Sequence, residues 1–93
     1  MMMQDDAAKQ RILARLRRLE GQVRGVEAMI EQDRDCAEIL QQLSAIRSAA
    51  LSASQAFLQD YASCCMQNFE HQTPTEREAA LKNLIQLFGK TQA

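Results

Sequence analysis

Three cysteines, one tyrosine and one histidine are the side chains of this 93-residue chain best suited to chemistry. Cys36, Cys64 and Cys65 form an odd set without the regular spacing of a secreted disulfide framework, so in a reducing compartment they read as free thiols. Thiols of that kind sense oxidants or ligate soft metals. Tyr61 lies four residues before Cys65, one helical turn away and on the same face. Cys64 points away from that face by about 100°, and read alone it is a small core residue, with an accessory thiol as the other possibility. A thiol enzyme would need a base, and His71 stands apart in a polar stretch where a solvated loop is expected. Three of the five methionines crowd the start of the chain and make no ligand stripe.

The elements that must position these groups are helices. Three Gly, one Pro and no Trp describe a chain poor in turns and in bulky core residues. A first helix is expected to start after Asp5 or Asp6 and to run to about Gln32, with Ile12, Leu16, Leu19, Val23, Val26 and Ile30 recurring at alternating steps of four and three. Gly21 and Gly25 lie on one face of it, where another helix can approach closely. Asp35 with Glu38 reads as a capping box opening a second helix, which places Cys36 in its first turn. There the unpaired amides and the helix dipole favour a thiolate, so Cys36 is the expected attacking thiol. No Pro or Gly interrupts this helix as far as Met66. Thr73-Pro74-Thr75-Glu76 caps a short third helix, which carries Leu81, Leu84, Ile85 and Phe88 and is expected to stop at Gly89. The expectation is one all-α domain over 1–93, two long helices and one short, frayed at about 1–4 and 90–93.

Along the second helix, Cys36 and Cys65 are about 29 residues apart, or roughly 43 Å at 1.5 Å per residue. They cannot meet within one chain. Two copies of this helix running antiparallel about a two-fold axis between Ala50 and Leu51 bring Cys36 of one subunit to Cys65 of the other. The small residues from Ser48 to Ser54 allow that close approach.

The net charge of −1 conceals a lopsided distribution. Lys9, Arg11, Arg15, Arg17, Arg18 and Arg24 meet only Glu20 in their stretch of sequence. Arg11, Arg15 and Arg18 each precede a seam residue and form one row, with Arg17 and Arg24 on another side. Such a row is either a solvated face or a phosphate-binding surface assembled from several subunits. No helix-turn-helix, basic zipper or zinc-finger spacing is present, and a helical scaffold whose arginines contact only protein is the alternative of another class. No apolar run approaches membrane-spanning length, so a cytoplasmic protein without a membrane role is expected.

The stretch from Arg15 to Gly25 (RLRRLEGQVRG), then Met29-Ile30-Glu31, Asp35-Cys36 and Gln42 to Ala49 (QLSAIRSA), closely resembles the copper-sensitive operon repressor family, whose members also include nickel/cobalt, formaldehyde and persulfide sensors. The resemblance covers about the whole chain. It implies a three-helix protomer, an antiparallel four-helix-bundle dimer that pairs into a tetramer, and a non-enzymatic repressor whose grip on operator DNA is relieved at an inter-subunit site.

The resemblance also implies the site. In the copper branch it consists of a Cys opening the second helix and, from the partner subunit, a His and a Cys four apart. Cys36 and Cys65 match the thiols, but Tyr61 stands where the His is expected. Soft Cu(I) favours thiolate and imidazole, and a phenol that ionises near ~10 is a poor ligand. The nickel/cobalt branch relies on several His ligands, and the formaldehyde branch pairs its Cys with an N-terminal Pro, where this chain begins Met1-Met2-Met3. What remains is similar to the persulfide-sensing branch, with no cofactor required: Cys36 attacks sulfane sulfur and Cys65 of the partner resolves the product. Cu(I) held by Cys36 and Cys65 is the alternative.

Overall fold

In the computed structural model, which describes residues 6–91, the helices follow from local signals at their ends. The first, α1, spans Asp6–Glu31. It stops where Asp33 takes a positive φ of 55°, a left-handed conformation that Asp tolerates better than most residues. The amide of Arg34 then reaches back to the carbonyl of Met29 (3.0 Å) and that of Asp33 to Ile30 (3.1 Å), satisfying carbonyls that the helix end leaves free. The chain reverses within a few residues, so the next helix, α2 (Cys36–Gln67), returns antiparallel along α1. The side chain of Arg11 reaches that of Asp60 near the far end of α2, while Gln22 and Ala49 border one groove further along the pair.

Asp35 does occupy the residue before α2, but it makes no side-chain capping bond. The expected box with Glu38 is not formed, because Glu38 instead accepts two hydrogen bonds from the Arg34 guanidinium (2.8 and 3.1 Å). The first amides of α2, beside Cys36, are thereby left without a side-chain cap.

A single 3-10 turn, Phe69–His71, follows α2, and the Arg77 guanidinium donates to the carbonyl of Phe69 at 2.6 Å to pin it. The next helix, α3, spans Pro74–Thr91 and opens as expected: Thr73 Oγ1 accepts from the Glu76 amide (3.2 Å) and Glu76 Oε1 from the Thr73 amide (3.1 Å), with Pro74 at the first helical position. Gly89 does not end it. A glycine stops a helix by taking a left-handed turn, and Gly89 has no positive φ, so Lys90 and Thr91 remain helical rather than frayed. The expected caps and frayed residues at Met1 to Asp5, and at Gln92 and Ala93, lie outside the described residues.

The result is the all-α, three-helix chain read from the sequence, with no strand among the described residues. Its principal extents are 58 × 27 × 13 Å, a slab little thicker than the ~10–12 Å of one helix with its side chains. One layer buries little. Ala8, Val26, Ala53, Leu58 and Leu84 are its buried apolar residues, whereas Leu40 is 65% and Ile85 71% exposed. Gly21 and Gly25 do not receive the close helix contact expected of them within the chain, since a Cβ at either would meet nothing within 4 Å. No helix among the described residues is long and apolar enough to cross a membrane.

Hydrogen bonds from Thr73, first its backbone amide and then its side chain, hold the Glu76 carboxyl below its ordinary 4.5. Its folded value being lowered, its contribution to stability is complete above the unfolded value and is lost as pH falls through the folded one. Thermal melts between pH 2 and 6 should show this loss, and Glu76→Gln should flatten it. Thr73→Ala should cost about 1 kcal/mol in urea unfolding at neutral pH.

Candidate functional site

The α1/α2 slab presents two unlike faces. On one, an open groove of about 760 Å³ is lined by Ile12, Leu16 and Leu19 of α1, by Ala50, Ser54, Phe57 and Tyr61 of α2, and by Asn83 and Leu87 of α3. On the other, Arg11 and Arg15 border a small pocket with Ala56 and Gln59 of α2, and Arg15 and Arg18 border a second one with Ala49 and Ser52. Successive residues of a helix point about 100° apart, so the step from Arg11 to Ile12, or from Arg15 to Leu16, carries the chain from one face to the other.

The thiols belong to the apolar side. Ala50, Ser54, Phe57 and Tyr61 follow steps of four, three and four along the open groove. Running the alternation backwards from Ala50 passes Arg47 and reaches Leu43, Leu40 and Cys36, while forwards Cys65 stands one turn, four residues, beyond Tyr61. The separation of about 29 residues between the cysteines is close to eight whole turns at 3.6 residues per turn. Cys36 and Cys65 therefore share one stripe of an unbroken helix and stand at its two ends, roughly 43 Å apart. Cys36 is exposed and Cys64 and Cys65 half-buried, all as free thiols. The structure brings Tyr61 to Cys65 and leaves Cys36 remote from both, as the helix geometry requires.

Tyr61 is held by two neighbours. Asn83 of α3 donates from Nδ2 to the Tyr61 hydroxyl oxygen at 3.0 Å. The phenolic proton is then free to point one turn along α2, and hydrogen bonding to Cys65 is the main cause that raises the Tyr61 pKa above 10.0. Burial and the Cys65 charge add to the rise, and Asn83 opposes it. A neutral phenol can donate a hydrogen bond to sulfur. Among the described residues no cluster of three or more His, Cys, Asp or Glu could hold a metal within one chain.

The arginine row is also not as expected in one respect. Arg15 and Arg18 are exposed, as are Lys9 and Arg17, but Arg11 is paired with Asp60 of α2 at 3.6 Å. Arg24 lies on the opposite side, sharing a groove with Glu20 and Glu27. Asn83 and Asp60 had no signal in the sequence, because each acts through a partner 22 or more positions away that only packing brings near.

This geometry can be set beside known proteins. The model of a family described as metal-sensitive transcriptional repressors matches residues 8–90, nearly the whole chain. The chain belongs to this family. It is 38% identical over 82 residues, 88% of this chain and 79% of the relative, to the copper-sensing transcriptional repressor CsoR of Bacillus subtilis. Over 52 residues, 56% of this chain and 54% of the relative, it is 48% identical to the copper-sensing transcriptional repressor RicR of Mycobacterium tuberculosis. Its fold matches the copper-sensing repressor CsoR with Cu(I) from Geobacillus thermodenitrificans at a TM-score of 0.82, with 31% identity and coverage of 100% of this chain and 95% of that one. The nickel-responsive regulator InrS matches at 0.76 with 26% identity over 98% and 97% of the two chains. The metal-sensitive repressors are transcriptional regulators and not enzymes.

Because the chain holds one tyrosine and no tryptophan, its ultraviolet titration reports Tyr61 alone. The tyrosinate absorbance should rise with a midpoint above 10.0. Cys65→Ala should bring that midpoint down, since its main cause is removed, whereas Asn83→Ala should raise it further. An unchanged midpoint in Cys65→Ala would disprove the contact.

Proposed function

We propose that this repressor binds operator DNA through its arginine face and is released by thiol chemistry between Cys36 of one subunit and Cys65 of another, with reactive sulfur species as the effector. The observation that carries it is the placing of both cysteines on one side of α2, close to eight whole turns apart, at its opposite ends. In an antiparallel pair with its axis between Ala50 and Leu51, each Cys36 meets the Cys65 of the partner subunit, and two equivalent sites form. The exposed Leu16, Leu40, Leu43 and Leu51 supply the apolar surface for such a dimer. Pairing the apolar faces turns the arginine faces outward. Two dimers then assemble into a tetramer, so that rows too weak singly sum on one DNA duplex.

Reactive sulfur suits the donor set. The Cys36 thiolate attacks the sulfane sulfur of a polysulfide or persulfide, forming a Cys36 persulfide and expelling the remainder as a thiol or shorter polysulfide. The Cys65 thiolate of the partner then attacks the Cys36 sulfur, forming the inter-chain disulfide and releasing hydrosulfide; the sulfane sulfur is the species reduced. A longer polysulfide bridge is the related product. Tyr61 donates its hydroxyl proton to sulfur at the Cys65 end, and Cys64 stands one position away as an accessory thiol. No cofactor enters these steps, and they suit a reducing cytoplasm in which resting thiols stay free.

A second effector has support from the relatives' names, which are those of copper sensors. Cys36 and Cys65 together provide two thiolates for linear Cu(I), but Tyr61 offers no imidazole for a third bond.

Lys9, Arg11, Arg15, Arg17 and Arg18 are assigned to phosphate contact, so DNA affinity should fall steeply with salt. Arg15→Ala should weaken operator binding and make the salt slope shallower by about one per DNA-contacting subunit.

Treatment with sodium tetrasulfide should yield a Cys36–Cys65 inter-chain peptide by mass spectrometry and should weaken operator binding, and Cys36→Ala should abolish both effects. No inter-chain link, together with tight binding of one Cu(I) per subunit, would replace the sulfur effector with copper.

A further inference from the structure

The arginine face carries one acidic side chain at its edge, and that residue is already engaged. Asp60 leans over the end of the groove and pairs with Arg11 at 3.6 Å, its own side chain 28% exposed and that of Arg11 61% exposed. The pair borders a polar pocket of about 210 Å³ shared with Arg15 and Gln59. That is several times the ~30 Å³ share of one water, enough for a phosphate group with part of its hydration. A carboxylate and a phosphate compete for a guanidinium with the same fork geometry, and a solvent-exposed ion pair is weak enough to exchange.

We propose that Asp60 is an internal stand-in for phosphate: it holds Arg11 off the DNA, and operator binding exchanges the carboxylate for a phosphate at the same guanidinium. The proposal rests on the arginine face being the DNA surface. It assigns the residues of the face unequal roles. Arg15 and Arg18 meet phosphate directly, and Arg11 does so only after leaving Asp60. The cost of breaking the pair lowers affinity for every duplex alike. The pair is therefore a brake on total affinity, and it does not read bases.

The test is a double-mutant cycle of operator binding by fluorescence anisotropy across a salt series, using wild type, Asp60→Asn, Arg11→Gln and the double variant, with Arg15→Ala beside them. Asp60→Asn should raise affinity about 3- to 10-fold near 0.1 M salt. It should also steepen the salt slope by about one for each Arg11 that gains a phosphate. In the Arg11→Gln background the same substitution should have little effect, which separates release of Arg11 from a mere loss of negative charge. Asp60→Ser, which keeps a polar side chain and removes the charge, should reproduce the result. If Arg15→Ala weakens binding but Asp60→Asn and Asp60→Ser leave it unchanged, or strengthen it equally with Arg11→Gln present, the role of Asp60 is refuted and the DNA face stands. If Arg15→Ala changes neither affinity nor salt slope, the DNA face itself is refuted.

Discussion

The continuity of α2 governs this molecule. From Cys36 to Gln67 the backbone runs as one helix, a length that places the first residue and the last turn at opposite ends of a chain 58 Å long. A helix of that length cannot fold back on itself, so groups at its two ends act together only through another molecule or another copy. The same continuity fixes rotation as well as distance. Because the interval between the cysteines is close to a whole number of turns, the two thiols look to the same side, along with Tyr61 and the apolar residues between them. A kink in the middle of α2 would have uncoupled rotation from spacing.

A second constraint follows from thickness. With α1 laid antiparallel on α2 and α3 folded onto its end, the chain forms one layer, and a layer has two sides. One side gathers Leu16, Leu19 and Phe57; the other gathers Arg11, Arg15 and Arg18 over small and polar residues of α2. Apolar and basic surfaces are thus set on opposite sides by single steps in the α1 sequence. α3 contributes differently. Its Leu84 is buried against the rest of the chain, and its Asn83 fixes the hydroxyl of Tyr61, so the end of α2 that carries Cys65 is held from outside the two-helix pair.

Among the described residues, two side-chain contacts between helices lie at the edges of these surfaces. Asn83 to Tyr61 orders the thiol end, and Arg11 to Asp60 crosses the edge of the basic face. Asp60 and Tyr61 are neighbours in sequence, so one short segment of α2 faces both the thiol side and the arginine side.

Periodicity, caps and composition determined the helices, because hydrogen bonds within one helix and the side chains at its ends depend on residues only a few positions apart. The box at Thr73 and Glu76, the reversal after α1 and the shared register of Cys36, Tyr61 and Cys65 are all local in this sense. Local signals misled where two partners competed for one group: Glu38 went to Arg34 and not to the α2 cap, and Gly89, with no left-handed turn to make, stayed helical. Tertiary structure alone decided which distant side chains became neighbours. Nothing in the sequence pairs Arg11 with Asp60 or Asn83 with Tyr61, since such contacts depend on the rotation and offset of whole helices against one another, which the packing of Val26, Ala53, Leu58 and Leu84 sets.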